Sequence, residues 1–195
     1  MNLLQTSMGI WDSLRHAAFQ VGSIITTTGF ATVDFNSWPT IPKTILVLLM
    51  FIGACAGSTG GGIKVSRIVL LFRSLTKELS QSLHPNQVRK IHFEGRAVEH
   101  VVLRSVNVFI AAYILIFAIS VLLIGIDNYD LVTNFTAVAA TLNNIGPGLE
   151  LVGPAQNFGL FSNFSKLVLT FDMLAGRLEL FPLLLLFYRG TWKRF

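Results

Sequence analysis

Two segments decide how this chain is organised: TTTGF at residues 26–30 and NNIGPG at residues 143–148. Each follows an apolar stretch, at about 11–25 and about 131–142, that is too short to cross the hydrocarbon core of a bilayer as a helix. A short apolar helix that leads directly into a polar, glycine-containing segment is typical of a re-entrant pore helix and its loop. For either stretch taken alone, an interfacial helix or an extramembrane turn is the alternative.

The two segments belong to an internal repeat, because placing Gly29 on Gly146 also aligns what surrounds them. Thr27-Thr28 then matches Asn144-Ile145, and each loop is followed by a polar connection and a long apolar stretch. Within those stretches Lys43 falls on Lys166, Met50 on Met173 and Gly53 on Gly176. The sequence therefore predicts two parallel units, each a pore helix, a loop and an inner helix.

The composition excludes an ordinary soluble domain. Of 195 residues, 52% are hydrophobic and 13% are charged, about half the roughly 25% charged residues of a typical soluble domain. The single Cys55 cannot form a disulfide within the chain, and the four histidines are scattered. We therefore expect no catalytic metal centre. We also expect no enzyme activity and no cofactor bound by this chain.

Three windows are long enough to span a membrane: about 41–75, about 101–126 and about 164–188. Residues 57–62 interrupt the first window, whereas the second has no charge between Arg104 and Asp127. The third carries charged residues that a plain anchor helix would not tolerate cheaply. These are Asp172, Arg177 and Glu179.

Basic residues predict the orientation. They are concentrated between Lys64 and Arg104 and at the C-terminus, whereas residues 127–165 contain no Lys or Arg. By the positive-inside rule, the 76–100 linker and the C-terminus are cytoplasmic and both loops enter from outside. The net charge of +5 therefore reflects topology, and we expect no nucleic-acid partner.

The units divide the chain into residues 1–75, the linker 76–100 and residues 101–195. In the second unit, about 101–126 forms the outer helix that precedes the pore helix. The first unit has no such helix, so we expect the chain to be the tail of a longer protein.

The loops can provide oxygen ligands for a dehydrated cation. A row of inward-facing backbone carbonyls replaces the water of the ion, and glycine tolerates the backbone angles that this requires. Gly29 and Gly146 are placed for that role, with hydroxyls from residues 26–28 nearby and Asn143 and Asn144 supporting the second loop. The alternative is that both glycines only permit tight turns.

A second feature is the glycine loop, Gly57-Ser58-Thr59-Gly60-Gly61-Gly62, which breaks the first inner helix. It must face protein or water at membrane depth, and it does not satisfy the phosphate-loop pattern. The repeat register sets Arg177 on Ala54, so we expect Arg177 beside this loop, beneath the filter, as a barrier to a resident cation. The alternatives are a static kink and an Arg177 ion pair with Asp172 or Glu179.

Four ordered motifs resemble the Trk/Ktr/HKT potassium-transporter superfamily, most closely the C-terminal half of its TrkH branch. These motifs are IITTTGFATVDF (24–35), MFIGACAGSTGGGIKVSR (50–67), NNIGPG (143–148) and LAGRLELFP (174–182). The resemblance implies an all-α membrane protein of voltage-gated-like ion channel architecture, in which four tandem pore-loop repeats surround one K⁺ pathway. The two units here would be the third and fourth.

The resemblance also implies residue roles. The selectivity filter would comprise Thr27, Thr28, Gly29, Asn144, Ile145 and Gly146, with K⁺ held at Thr28, Gly29, Ile145 and Gly146. The gate would comprise Gly57 to Gly62 and Arg177.

The implied function is K⁺ uptake across the inner (plasma) membrane by a multi-pass protein. Implied partners are an upstream half that carries repeats one and two, a second copy in a homodimer, a cytosolic TrkA/KtrA-like RCK nucleotide-binding subunit, and membrane lipid. Two alternatives are a truncated, non-conducting fragment with an assembly role and a secondary transporter with broken helices. The latter predicts inverted repeats, and these are parallel.

Overall fold

The protein is largely helical in a computed structural model that describes residues 9–53, 55, 58, 60–84, 91–93 and 95–178. The helices are α1 (Ile10–Ile25), α2 (Thr40–Phe51), α3 (Val65–Leu83), α4 (His100–Ile124), α5 (Leu131–Leu142) and α6 (Asn163–Arg177). Single 3-10 turns occur at Phe35–Ser37, Gly125–Asp127, Glu150–Val152 and Phe158–Leu160. The two predicted pore helices correspond to α1 and α5, and α5 has the predicted bounds.

Polar side chains cap the N-termini of α5 and α6, the helices before and after the second loop. The carboxylate of Asp130 accepts the backbone N–H of Thr133 at 2.9 Å and starts α5. The hydroxyl of Ser162 accepts the N–H of Ser165 at 3.3 Å and starts α6. Each bond satisfies one of the N–H groups that the first turn of a helix leaves without a partner.

The first inner helix is interrupted where the glycines predict it, and two short strands flank the break. α2 ends at Phe51, and strand β1 (Ile52–Gly53) then pairs in parallel with strand β2 (Ile63–Lys64), which leads directly into α3. The described part of the glycine loop lies between the strands. Gly53 is required here, because a Cβ at this position would overlap the carbonyl oxygen of Gly61.

The described part of the predicted linker, residues 76–100, contains regular structure. α3 continues through Leu83, so the predicted linker of residues 76–100 begins within a helix. The linker also contains a short antiparallel pair, strand β3 (His92–Phe93) with strand β4 (Arg96–Ala97), within a mostly helical fold. Hydropathy windows do not locate either feature, because an amphipathic helix end and a two-residue strand leave no apolar run.

Among the described residues, one helix is long and apolar enough to cross a membrane. It comprises His100–Asp127, with a mean hydropathy of 2.8 in its most apolar window. The first predicted span is divided into α2 and α3. Of the third, about 164–188, the described part is α6, and the rest lies outside the described residues.

The centre of the fold is α5, which packs against α2, α4 and α6. Its residues 137–140 and 142 are fully buried, and their mostly small side chains let the neighbouring helices approach closely. One apolar cluster joins the two units. Its members are Ile24, Phe35, Trp38, Leu46 and Met50 of the first unit and Ala139, Ile145 and Leu149 of the second.

Candidate functional site

The end of α1 is a Schellman motif. The N–H of Thr27 donates to the carbonyl of Ile24 at 3.1 Å, and the N–H of Thr28 donates to the carbonyl of Ser23 at 2.9 Å. This pair of bonds satisfies carbonyls that the end of the helix would otherwise expose. The chain therefore turns sharply out of α1 into the first predicted filter segment.

The end of α5 repeats the same two bonds in the same register. The N–H of Asn144 donates to Thr141 at 3.0 Å, and the N–H of Ile145 donates to Ala140 at 2.9 Å. The alignment that sets Gly29 on Gly146 maps each donor and acceptor onto its counterpart in α1. The weak sequence similarity of the two loops thus corresponds to the same backbone conformation.

Both segments alternate into left-handed backbone at matching positions. φ is 54° at Thr27 and 53° at Asn144, and it is 81° at Gly29 and 115° at Gly146. Asparagine tolerates this region, but a β-branched threonine rarely enters it. Thr27 is therefore a strained position, of the kind that clusters at functional sites.

The two segments meet directly. A Cβ on Gly29 would overlap the carbonyl oxygen of Ile145 and would lie 3.5 Å from the ring of Pro147. The structure thus brings the two predicted filter glycines to one place, although a long stretch of chain separates them. Only a residue without a side chain permits this approach at Gly29.

A cleft of about 520 Å³ lies against both segments. It is lined by Thr27, Thr28, Asn144, Ile145 and Gly146 of the predicted filter, and by Lys166, Thr170 and Met173 of α6. Five of the six predicted filter residues therefore border one space, and the sixth, Gly29, contacts Ile145.

Hydrogen bonds fix the polar side chains around the segments. The hydroxyl of Thr26 donates to the carbonyl of Gly22 at 2.7 Å and also lies 2.7 Å from that of Thr28. Asn144 Nδ2 donates to the carbonyl of Met173 in α6 at 3.0 Å. These contacts tie the first segment to its own helix and the second to the inner helix behind it.

A second connection joins the loops beyond the segments. Asn36 Nδ2 donates to the carbonyl of Glu150 at 3.3 Å, and the N–H of Glu150 donates to Asn36 Oδ1 at 2.9 Å. Lys43 Nζ lies 3.8 Å from Glu150 Oε1 and donates to the carbonyl of Asn36 at 3.3 Å. The two units are therefore linked at a second place, besides the contact of Gly29 with Ile145. The sequence analysis missed this link, since nothing local pairs Asn36 with Glu150.

The glycine loop and Arg177 share a small cavity of about 40 Å³. Its lining includes Ser58, Gly60, Gly62 and Arg177, together with Tyr113 of α4 and Gly176 of α6. The expected proximity of loop and arginine is thus present in the described part of the chain. The predicted gate residues Gly57 and Thr59 lie outside the described residues.

The loop packs against the end of α5. A Cβ on Gly61 would overlap the carbonyl oxygen of Asn143, and one on Gly62 would lie 2.8 Å from Asn143 Oδ1. A Cβ on Gly176 would overlap the carbonyl oxygen of Leu142. The sequence alignment paired Gly53 with Gly176, but it did not indicate why both positions are glycine. The reason is that a backbone carbonyl from another part of the chain lies against each of them.

The proposed ion pair of Arg177 with Asp172 receives no support from the carboxylate. Asp172 is fully buried, and its Oδ1 accepts the hydroxyl of Ser120 in α4 at 2.7 Å. Its Oδ2 has no hydrogen-bond partner within the described ranges. Glu179, the other predicted partner, lies outside them.

Comparison with known proteins identifies the family to which this chain belongs. The family profile of TrkH, described as a cation transport protein, matches residues 6–191. The chain belongs to the TrkH family. Members of this family are membrane transporters and not enzymes.

Individual TrkH relatives are similar over nearly the whole chain. The Trk system potassium uptake protein TrkH of Salmonella typhimurium is 45% identical over 188 residues, which is 94% of this chain and 38% of that protein. Its counterpart in Escherichia coli K12 is 44% identical over 93% of this chain and 37% of its own length. The chain thus spans about two fifths of the length of these relatives.

The fold is also that of a solved TrkH structure. The crystal structure of the potassium transporter TrkH from Vibrio parahaemolyticus matches with a TM-score of 0.88 and 42% identity. The match covers 98% of this chain and 41% of that one. The largely helical fold is therefore that of a TrkH-family membrane transporter.

Proposed function

We propose that the chain forms two pore-loop repeats of a K⁺-translocating protein of the inner membrane. The observation that carries this proposal is the pair of identical backbone motifs that meet at Gly29 and Ile145 beside one cleft. Potassium as the transported ion is supported by the names of the relatives, which are potassium uptake proteins.

The chemistry of the filter follows from the backbone. Left-handed φ at every second residue turns successive carbonyls in new directions, and such carbonyls can replace the hydration shell of K⁺. The ion would lie at Thr28, Gly29, Ile145 and Gly146. The carbonyl ends of α1 and α5 add partial negative charge near the ion.

The gate in this proposal is the glycine loop, residues 57–62, together with Arg177. A short segment without bulky side chains can occupy a pathway and leave it with little change in packing. A fixed positive charge beside it raises the barrier for a cation. The shared cavity of loop and arginine supports this pairing.

The remaining parts of the proposal concern assembly. The two described units would complete a four-repeat pore with a segment that corresponds to the rest of the relatives' length, and they would take the third and fourth places. The whole protein would form a homodimer, contact a cytosolic RCK subunit, and keep the 76–100 linker and the C-terminus in the cytoplasm.

The test is K⁺ uptake by a chimera in which this chain replaces its matching segment in the Salmonella typhimurium relative. The host is a bacterium deficient in K⁺ uptake, and the signal is normalised to membrane-inserted protein. We expect uptake that depends on the chimera. An inserted chimera that carries no K⁺ would overturn the proposal and favour the assembly role.

A further inference from the structure

We propose that Asn143 is a positioning residue through which Gly61 and Gly62 of the glycine loop control the geometry of the second filter segment, with Tyr113 holding its side chain. The transport consequence of this inference rests on the proposed function. The mechanical consequence, a coupling between loop and filter, concerns the fold alone.

The side chain of Asn143 is held from both ends. The residue is fully buried and ends α5. Its Nδ2 donates to the carbonyl of Ala139 at 2.7 Å, and the hydroxyl of Tyr113 donates to its Oδ1 at 2.8 Å. A carbonyl can only accept, so the amide has a single orientation that satisfies both partners.

The loop contacts both the main chain and the side chain of Asn143. Gly61 approaches its carbonyl and Gly62 approaches its Oδ1, each at a distance that excludes a side chain on the loop. The next residue, Asn144, is the first of the filter segment and has left-handed backbone. A displacement of the loop therefore acts on the residue immediately before the filter.

Of the described loop glycines, Gly61 and Gly62 have their nearest neighbours at Asn143, Asn144 and Gly53, and not in the first filter segment. Its counterpart of Asn143 is Thr26, whose hydroxyl turns back to the carbonyl of Gly22 in its own helix. We therefore expect the loop to affect the second segment and not the first. This asymmetry separates coupling through Asn143 from a general loosening of the protein.

The contact also has a route from the cytoplasmic side. The guanidinium of Arg67 in α3 lies 3.9 Å from the ring centroid of Phe109 in α4. Phe109 lies one helical turn before Tyr113, and the two rings stack at 6.4 Å. A shift of α3 can therefore reach Asn143 by two routes. One is the glycine loop, which precedes α3 in the chain, and the other runs from Arg67 through Phe109 to Tyr113.

The first experiment measures hydrogen exchange of the purified chain in lipid nanodiscs. Gly61→Ala places a methyl group against the carbonyl of Asn143. We expect the amides of Asn144 and Ile145 to exchange at least about threefold faster, because weakening their hydrogen bonds opens the helix end. The matched amides of Thr27 and Thr28 should keep the parental rate.

Tyr113→Phe tests the other contact, and Tyr129→Phe is its control. Tyr129 also donates its hydroxyl to an acceptor, the carbonyl of Leu160 at 2.9 Å, and neither residue lines the cavity that the loop shares with Arg177. In the chimera, Tyr113→Phe should lower the ratio of K⁺ to Na⁺ uptake by about three- to tenfold, since a buried acceptor loses its donor. Tyr129→Phe should leave the ratio unchanged.

The outcomes separate the two proposals. Equal exchange changes in both segments, or none at Asn144 and Ile145, would overturn the coupling. Equal effects of Tyr113→Phe and Tyr129→Phe on the ratio of K⁺ to Na⁺ uptake, in a chimera that transports K⁺, would also overturn the coupling. Faster exchange confined to the second segment of the purified chain, together with an inserted chimera that carries no K⁺, would overturn the proposed function and leave the coupling in place.

Discussion

Gly29 lies so close to Ile145 that any side chain on the glycine would overlap the isoleucine carbonyl. Gly146, its equivalent in the repeat, has more room, because the nearest atom to a Cβ there is the Cα of Gly29 at 3.7 Å. The two glycines are thus restricted differently. Packing and a φ of 81° restrict Gly29, whereas a φ of 115° restricts Gly146.

This difference predicts unequal effects of substitution. Gly29→Ser and Gly146→Ser should both weaken discrimination of K⁺ over Na⁺, because a side chain restricts the angles that direct the carbonyls. Gly29→Ser should also reduce the amount of inserted chimera, since it displaces Ile145. Ion uptake and inserted protein are measured together. Parental uptake ratios in both variants would contradict the filter assignment.

Gly176→Ala should destabilise the fold. The added methyl group would overlap the carbonyl of Leu142 where α6 crosses α5, and overpacking of this kind costs roughly 1–3 kcal/mol. Gly22→Ala is the matched control, because no atom lies within 4 Å of a Cβ at that helical position. Thermal unfolding in detergent compares them. Equal melting temperatures for the two variants would contradict this packing.

Arg177→Ala should raise cation flux if the charge acts as a barrier, because its removal lowers the electrostatic cost of a cation in the pathway. If Arg177 is mainly structural, the substitution should instead reduce inserted protein. Flux per inserted chimera distinguishes the two roles. A normal protein level with unaltered flux would exclude both.

Deletion of Gly60 to Gly62 should increase K⁺ flux and make it less dependent on the proposed cytosolic RCK subunit, because the shortened loop cannot occupy the proposed ion pathway. A static kink predicts the reverse, since shortening would pull β2 and α3 out of place and lower folded protein without freeing transport. Uptake is measured with and without the regulatory partner. Unchanged dependence on that partner would exclude the gate.

The stability that the N-cap residue Asp130 contributes to α5 should depend on pH. Desolvation raises the pKa of its carboxyl, but hydrogen bonds from the hydroxyl and N–H of Thr133 and from the backbone of Asp130 and Val132 together outweigh this effect and hold the pKa below its ordinary value. Because the folded pKa is the lower one, the stabilisation is present above the unfolded pKa of about 3.9 and is lost as the pH falls through the folded value.

Two variants check this cap. Asp130→Ala should cost about 0.5–2 kcal/mol near neutral pH, because it removes the acceptor for Thr133. Asp130→Asn keeps an acceptor but cannot titrate, so its stability should vary less below pH of about 4. Unfolding is followed across that range. A parental pH profile in Asp130→Asn would assign the effect to another group.

The sequence by itself determined the elements and their register. Apolar stretches of limited length predicted α1 and α5, and a cluster of glycines predicted the break after α2. Alignment of the loops paired Gly29 with Gly146, and both have left-handed backbone. Such features follow from short windows, because helix length, backbone freedom and hydropathy depend on neighbouring residues.

The tertiary structure alone decided which of these elements touch. Nothing local indicates that Gly61 approaches Asn143, that Asn36 binds the main chain of Glu150, or that Thr27 adopts a conformation threonine rarely enters. These features arise because distant helices pack around the small residues of α5 and bring the ends of two loops together. A contact between residues far apart in the chain depends on the shape of everything between them, and no window of sequence contains that information.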